Sequence, residues 1–128
     1  MFKVLAFLAA IPCTGYADTV TGNDLHSACT ANGEIKDLQF GYCIGYIGGA
    51  FEGIKFGAGA VMFQAMPESS TTEVDQASNA MLGFCIPENV ERGQIVDVTM
   101  KYLEENPQSR HESARGLLFQ ALQSAFPC

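Results

Sequence analysis

Residues Gly41–Gly57 read GYCIGYIGGAFEGIKFG, and Gly41, Gly45, Gly49, Gly53 and Gly57 fall every fourth residue. That spacing lines the glycines up along one side of an α-helix. Each glycine costs a helix about 1 kcal/mol relative to alanine. The flanking residues nevertheless carry a helical signal. Leu38, Tyr42 and Tyr46, and Phe40, Ile47, Phe51 and Ile54, recur at helical rather than strand spacing. They predict a helix from about Ile35 to Phe63. Glu52 and Lys55 interrupt the apolar run, which argues against a membrane span. A helix with a shaved side has three uses. In a membrane, small residues four apart drive helix dimers. In a water-soluble core they let a neighbouring helix approach at backbone distance, and on a surface they form a self-association face. The amphipathic pattern on either side favours close packing within the chain, with the large residues on the opposite side. A homodimer face ranks second and a pore-forming glycine zipper third.

The remaining segments read as shorter helices. Thr21 with Asp24 three residues on forms a capping box that opens a first helix, running to about Asn32-Gly33, with Leu25, Ala28 and Cys29 on its core side. MPESSTTEVD, Met66–Asp75, breaks the apolar pattern and reads as an exposed loop, and Val74–Phe84 reads as a short helix. In CIPENVERGQIVDVTMKYLEENP, Pro87 suits a first helical position and Glu88 and Glu91 suit the positive end. Val90, Ile95, Val98 and Tyr102, with Val96, Met100 and Leu103, supply the apolar face, and Pro107 ends it. Ser109 and Glu112 have capping-box spacing for a last helix. Along it Ala114, Leu117, Leu118, Ala121, Leu122 and Ala125 keep one face apolar. The pattern predicts an all-α domain, a compact bundle of four to five helices.

The N-terminus begins MFKVLAFLAAIPCTGYAD. A lysine, a short apolar run and small residues at Gly15 and Ala17 have the form of an export signal cleaved after Ala17. This divides the chain into a leader, residues 1–17, and one helical domain, residues 18–128, and predicts export to the periplasm. Pro12 before Cys13 argues against lipidation. The chain carries 7 Lys and Arg against 14 Asp and Glu, and loss of Lys3 with the leader makes the balance more acidic still. Such a surface repels a phosphate backbone and excludes nucleic acid as a partner.

Cys29, Cys43, Cys85 and Cys128 remain after the leader, an even number that predicts two disulfides in an exported chain. Four cysteines allow three pairings, and spacing alone does not choose among them. Placing Cys43 at the start of a glycine face covered by the helix after Cys85 favours Cys43–Cys85. Tethering the last residue to the first helix then gives Cys29–Cys128. The sequential pairing, Cys29–Cys43 with Cys85–Cys128, is the rival.

A search for chemistry yields little. The two histidines, His26 and His111, lie on separate helices and read as structural. A cysteine nucleophile needs a free thiol, and all four are expected to be paired. Asp24, Asp37, Glu104 and Glu105 read as solvated helix faces. No P-loop, GxGxxG, HExxH or CxxC motif occurs, so the expectation is a protein without catalytic residues, metal or cofactor.

YCIGYIGG (Tyr42–Gly49), FCIPENV (Phe84–Val90), VTMKYLEENP (Val98–Pro107) and LLFQALQSAFPC (Leu117–Cys128) resemble the Rap/Tai family of small exported helical proteins. The resemblance spans about Asp24 to the end of the chain. It implies an immunity protein that binds and blocks a peptidoglycan amidase toxin of type VI secretion by occluding its active site. For such an inhibitor the Met66–Asp75 loop is the candidate contact, with Glu68, Ser69, Ser70, Thr71, Thr72, Glu73 and Asp75 as partner-binding residues. The alternative is a small periplasmic acid-stress chaperone, whose carboxylates would lose their charge near pH 2 and expose apolar faces.

Overall fold

The computed structural model describes residues 19–128; the leader reading, cleavage after Ala17 included, lies outside them. Five α-helices follow in order: α1 Gly22–Cys29, α2 Lys36–Ala65, α3 Thr71–Leu82, α4 Arg92–Glu105 and α5 Ala114–Ala125, with a 3-10 turn, Pro107–Ser109, before the last. The all-α bundle stapled by two disulfides is as the pattern predicts. Thr21 and Asp24 make the expected reciprocal cap: the Thr21 hydroxyl accepts from the Asp24 amide, and the Asp24 carboxylate accepts from the Thr21 amide at 2.9 Å. At 30 residues α2 is about 45 Å long, the spine of the molecule. The other four helices all pack on it.

The core lies on one side of α2. Cys43, Ile47 and Ala58 face Leu25 and Ala28 of α1, Leu82 of α3, Ile95 and Leu103 of α4, and Leu117, Leu118 and Leu122 of α5. Phe84, in the α3–α4 connection, is fully buried and meets Phe119 edge-on with ring centroids 5.9 Å apart. Two hydroxyls are buried with this apolar set. Each donates back to the carbonyl one turn earlier, Ser78 to Val74 at 2.6 Å and Thr99 to Ile95 at 2.7 Å, so neither leaves an unmet hydrogen bond.

The glycine face does not do what the spacing suggests. A Cβ placed on Gly41, Gly45, Gly49, Gly53 or Gly57 meets nothing within 4 Å. No helix among the described residues lies against them; the close-packing reading is overturned. The reason is the position of the core side. Cys43 and Ile47 are buried on the opposite side of α2, and that side recruits all four neighbours. The large residues are not confined to the side away from the glycines: Leu38, Tyr42, Phe56 and Phe63 are exposed. Close backbone approach occurs instead at Gly22. There a Cβ would strike the Leu117 side chain and come within 3.0 Å of the Arg110 backbone.

The disulfides are the sequential pair, Cys29–Cys43 and Cys85–Cys128, with Cα atoms 5.1 and 4.9 Å apart. The favoured pairing fails for two geometric reasons. The α1–α2 connection is so short that α1 folds straight back along the first turns of α2 and brings Cys29 to Cys43. The C-terminal residues return antiparallel to the segment after α3. Phe84 bridges Pro127, and the Cys85 amide donates to the Phe126 carbonyl at 2.8 Å. Cys128 is thereby delivered to Cys85, not to α1.

Two helix starts also differ from expectation. Pro87 belongs to a turn closed by the Val90 amide on its carbonyl, and α4 begins at Arg92 with the Gln94 side chain accepting from the Glu91 amide at 2.8 Å. Ser109 closes the 3-10 turn, so the Ser109–Glu112 spacing does not cap the last helix, which starts after Ser113. The residues between them serve α1 instead. The Gly22 amide donates to Glu112 and the Asn23 amide to Arg110, while the Ala114 amide donates to Val20. Arg110 in turn donates through Nε to the Leu103 carbonyl at 2.6 Å, closing the end of α4.

Non-reducing peptide mapping will therefore join Cys29 to Cys43 and Cys85 to Cys128. In the chain-entropy model, breaking the longer loop by Cys85→Ala costs about 4 kcal/mol, against about 3 for Cys29→Ala. A peptide joining Cys43 to Cys85 would refute the fold described. A second check uses glycine. Gly57→Ala, on the open side, is expected to raise stability by up to about 1 kcal/mol. Gly22→Ala is expected to lower it, both read from urea denaturation.

Candidate functional site

The seven residues proposed from sequence for partner binding lie at the α2–α3 corner, but they do not form a long loop. Polar Ser and Thr residues after Pro67 do not merely solvate a connection here; they start a helix. The Ser69 amide donates to Met66 at 3.1 Å, and α3 begins two residues later. Ser70 is its N-cap. The Ser70 hydroxyl accepts from the Glu73 amide at 3.3 Å, and the Glu73 carboxylate accepts from the Ser70 amide at 2.8 Å. Asp75 pairs with Lys55 of α2 at 3.3 Å and accepts from Asn79 at 3.1 Å; Lys55 also donates to Asn79. Ser70, Glu73 and Asp75 thus hold the corner together. Glu68, Thr71 and Thr72 remain exposed on it, while Ser69 is half-buried. The signal missed in the sequence is Ser70 with Glu73 three residues on, a capping box as good as the one at Thr21.

The amide and hydroxyl of Ser70 hold the Glu73 carboxyl below its ordinary range, the backbone bond counting most. Asp24 is lowered in the same way by the side chain and backbone of Thr21. These shifts belong to helix caps. The other acidic candidates are scattered: Glu105 makes an exposed pair with Lys101 on its own helix at 3.8 Å. His26 is half-buried on α1 and His111 is exposed before α5. All four cysteines of the described residues are in disulfides. Among those residues no three His, Cys, Asp or Glu side chains gather as a metal site.

A second surface lies on the glycine side of α2. Gly45, Gly49 and Gly53 form the floor of an open, almost wholly apolar groove of about 500 Å³, flanked by Tyr46, Ala50, Ile54 and Arg115. Another, of about 530 Å³, runs beside α1 between Ala28 and the exposed Leu38 and Tyr42. Burial, then the neighbouring Tyr42, raises the Tyr46 hydroxyl above its usual range. No helix among the described residues is long and apolar enough to cross a membrane.

The geometry defines a class: a disulfide-stapled helical body whose notable surfaces are a capped acidic corner and a bare apolar helix side, features of a protein that binds. The chain matches the family model of Rap1a immunity proteins over residues 21–128 and belongs to that family. Its role is that of an immunity protein, and its partner in general terms is a toxin. No curated protein and no solved structure gives a significant match.

Because the cap lowers the Glu73 pKa, it adds stability above the unfolded glutamate pKa of about 4.3 and loses it as pH falls through the lower folded value. An NMR acid titration will place the Glu73 midpoint below the ordinary glutamate range. Ser70→Ala will move it up and lower the melting temperature at pH 7. An unmoved midpoint would mean that the cap does not form.

Proposed function

We propose that this immunity protein acts in the periplasm by binding a peptidoglycan amidase toxin and occluding its active site. The observation that carries the reading is the family match across every described helix. The form of the leader supports export. Occlusion needs no chemistry from the inhibitor, only a body that keeps its shape. Here both ends of the described residues are fastened to the bundle: Val20 and the start of α1 by backbone bonds with Ala114, Arg110 and Glu112, and Cys128 by its disulfide to Cys85. Little ordering entropy is then lost on binding.

The corner that carries Glu68, Thr71 and Thr72 is the part offered to the toxin. It is exposed, and its backbone is fixed by the α3 cap and by the Lys55–Asp75 pair. Glu68 and Glu73 make it suited to a basic rim around an enzyme cleft.

The test is titration of purified type VI peptidoglycan amidases with this protein, with peptidoglycan hydrolysis and binding calorimetry as readouts. Stoichiometric loss of hydrolysis is expected. Glu68→Lys with Thr72→Lys should weaken binding at least tenfold at unchanged melting temperature. An amidase that remains active while bound would overturn occlusion, and unchanged affinity of the double variant would move the contact off the corner. Failure of any amidase to bind would overturn the choice of toxin class.

A further inference from the structure

Where α4 crosses the first turns of α2, the seam between them stays open. It forms a groove of about 360 Å³ that ends at the Cys29–Cys43 disulfide. Phe40 and Ile44 of α2 supply one wall and stand 53% and 41% exposed. Val96 and Met100 of α4 supply the other and are half-buried. Gly93, on the same side of α4, has no side chain to close the groove, and a Cβ built there meets nothing within 4 Å. Two carboxylates, Asp97 and Glu104, line this otherwise apolar groove.

We propose that this groove binds an amphipathic basic helix of another protein, in which two Lys or Arg residues two turns apart flank bulky apolar side chains. Charge identifies the occupant. Neither Asp97 nor Glu104 pairs with a cation among the described residues. Lys101, between them in sequence, is engaged with Glu105. Arg110 reaches the Glu104 backbone carbonyl at 3.5 Å. A neutral apolar occupant would strip water from two carboxylates and give nothing back, and an anionic one would be repelled. Only an occupant with cations beside its apolar groups satisfies walls and rim together.

The spacing sets the form. Asp97 and Glu104 are seven residues apart on α4, about 10.5 Å along its axis. Cations seven residues apart on a facing helix have the same separation, and apolar residues three and four positions after the first point to the same side. The groove is at the small end of the roughly 300–1,000 Å³ of ligand sites, so it takes side chains of such a helix and not its backbone. Met100 adds an adaptable wall, since its unbranched thioether repacks around different side chains. The surface is separate from the α2–α3 corner: Met66, where the corner begins, is about 35 Å along the α2 axis from Cys43.

The inference does not rest on the toxin assignment and is tested without the toxin. The probe is a capped helical peptide with two lysines seven residues apart and a leucine and a tryptophan between them on the same side. The protein has no tryptophan, so emission from the peptide reports the complex alone. Titration with the protein is expected to move that emission to shorter wavelength, with a Kd in the micromolar range. A scrambled peptide of the same composition, with its lysines turned away from the apolar side, should bind at least tenfold more weakly. Asp97→Lys with Glu104→Lys should weaken binding of the designed peptide at least tenfold, with helical circular dichroism and Tm unchanged. Gly93→Leu fills the open end of the groove and should do the same. Absence of binding overturns the proposal, and so does equal binding of the scrambled peptide. Full affinity in either variant overturns it as well. Affinity that falls as the protein concentration rises would mean that a second copy fills the groove, and overturns it too.

Discussion

The fold depends on a division of labour between the two sides of α2. Cys43, Ile47 and Ala58 are buried on one side, and α1, α3, α4 and α5 all lie against it. The four covering helices have 8, 12, 14 and 12 residues. Helices of that length are marginal alone in water and draw their stability from packing. None reaches around to the glycine side. A 30-residue helix offers more apolar surface than the other described residues cover, and the remainder faces outward.

What α2 gathers, the connections lock. The carbonyls of Arg110 and Glu112 satisfy amides at the start of α1. Arg110 closes the end of α4 through the Leu103 carbonyl, and Gln123 of α5 donates to the Leu82 carbonyl at the end of α3 at 2.8 Å. Gly83, with φ of 71°, turns the chain out of α3 and so lets Phe84 enter the core. The start of α1 and the end of α3 are thus held by residues distant in sequence. A binder built this way presents surfaces whose backbone geometry is set before the partner arrives. That is where an immunity protein gains over a flexible loop of the same composition.

The two notable surfaces differ in kind. The α2–α3 corner is polar, fixed by a cap and an ion pair, and suited to a charged rim. The bare side of α2 is neutral and apolar, with backbone exposed at its centre. The groove over Gly45, Gly49 and Gly53 lies in the middle of α2, and the corner follows its C-terminal end.

The sequence by itself determined the helices and most of their signals. Leu117, Leu118, Ala121 and Leu122 mark the buried face of α5, and Thr21 with Asp24 marks the first cap. These are local effects, legible within a few residues. It also offered a capping box at Ser70 and Glu73 that was masked by the look of a polar loop, and a false one at Ser109 and Glu112. The same spacing caps a helix only where the following turn continues. Tertiary structure decided the rest. The period of the glycines fixes that they share a side, but not what meets that side; this depends on which of two apolar faces recruits the other helices. Nor do cysteine positions fix their pairing. Cys29 meets Cys43 because α1 turns back at once, and Cys128 meets Cys85 because the chain end runs beside Phe84. Both are long-range matters of where helices lie, and no local propensity encodes them.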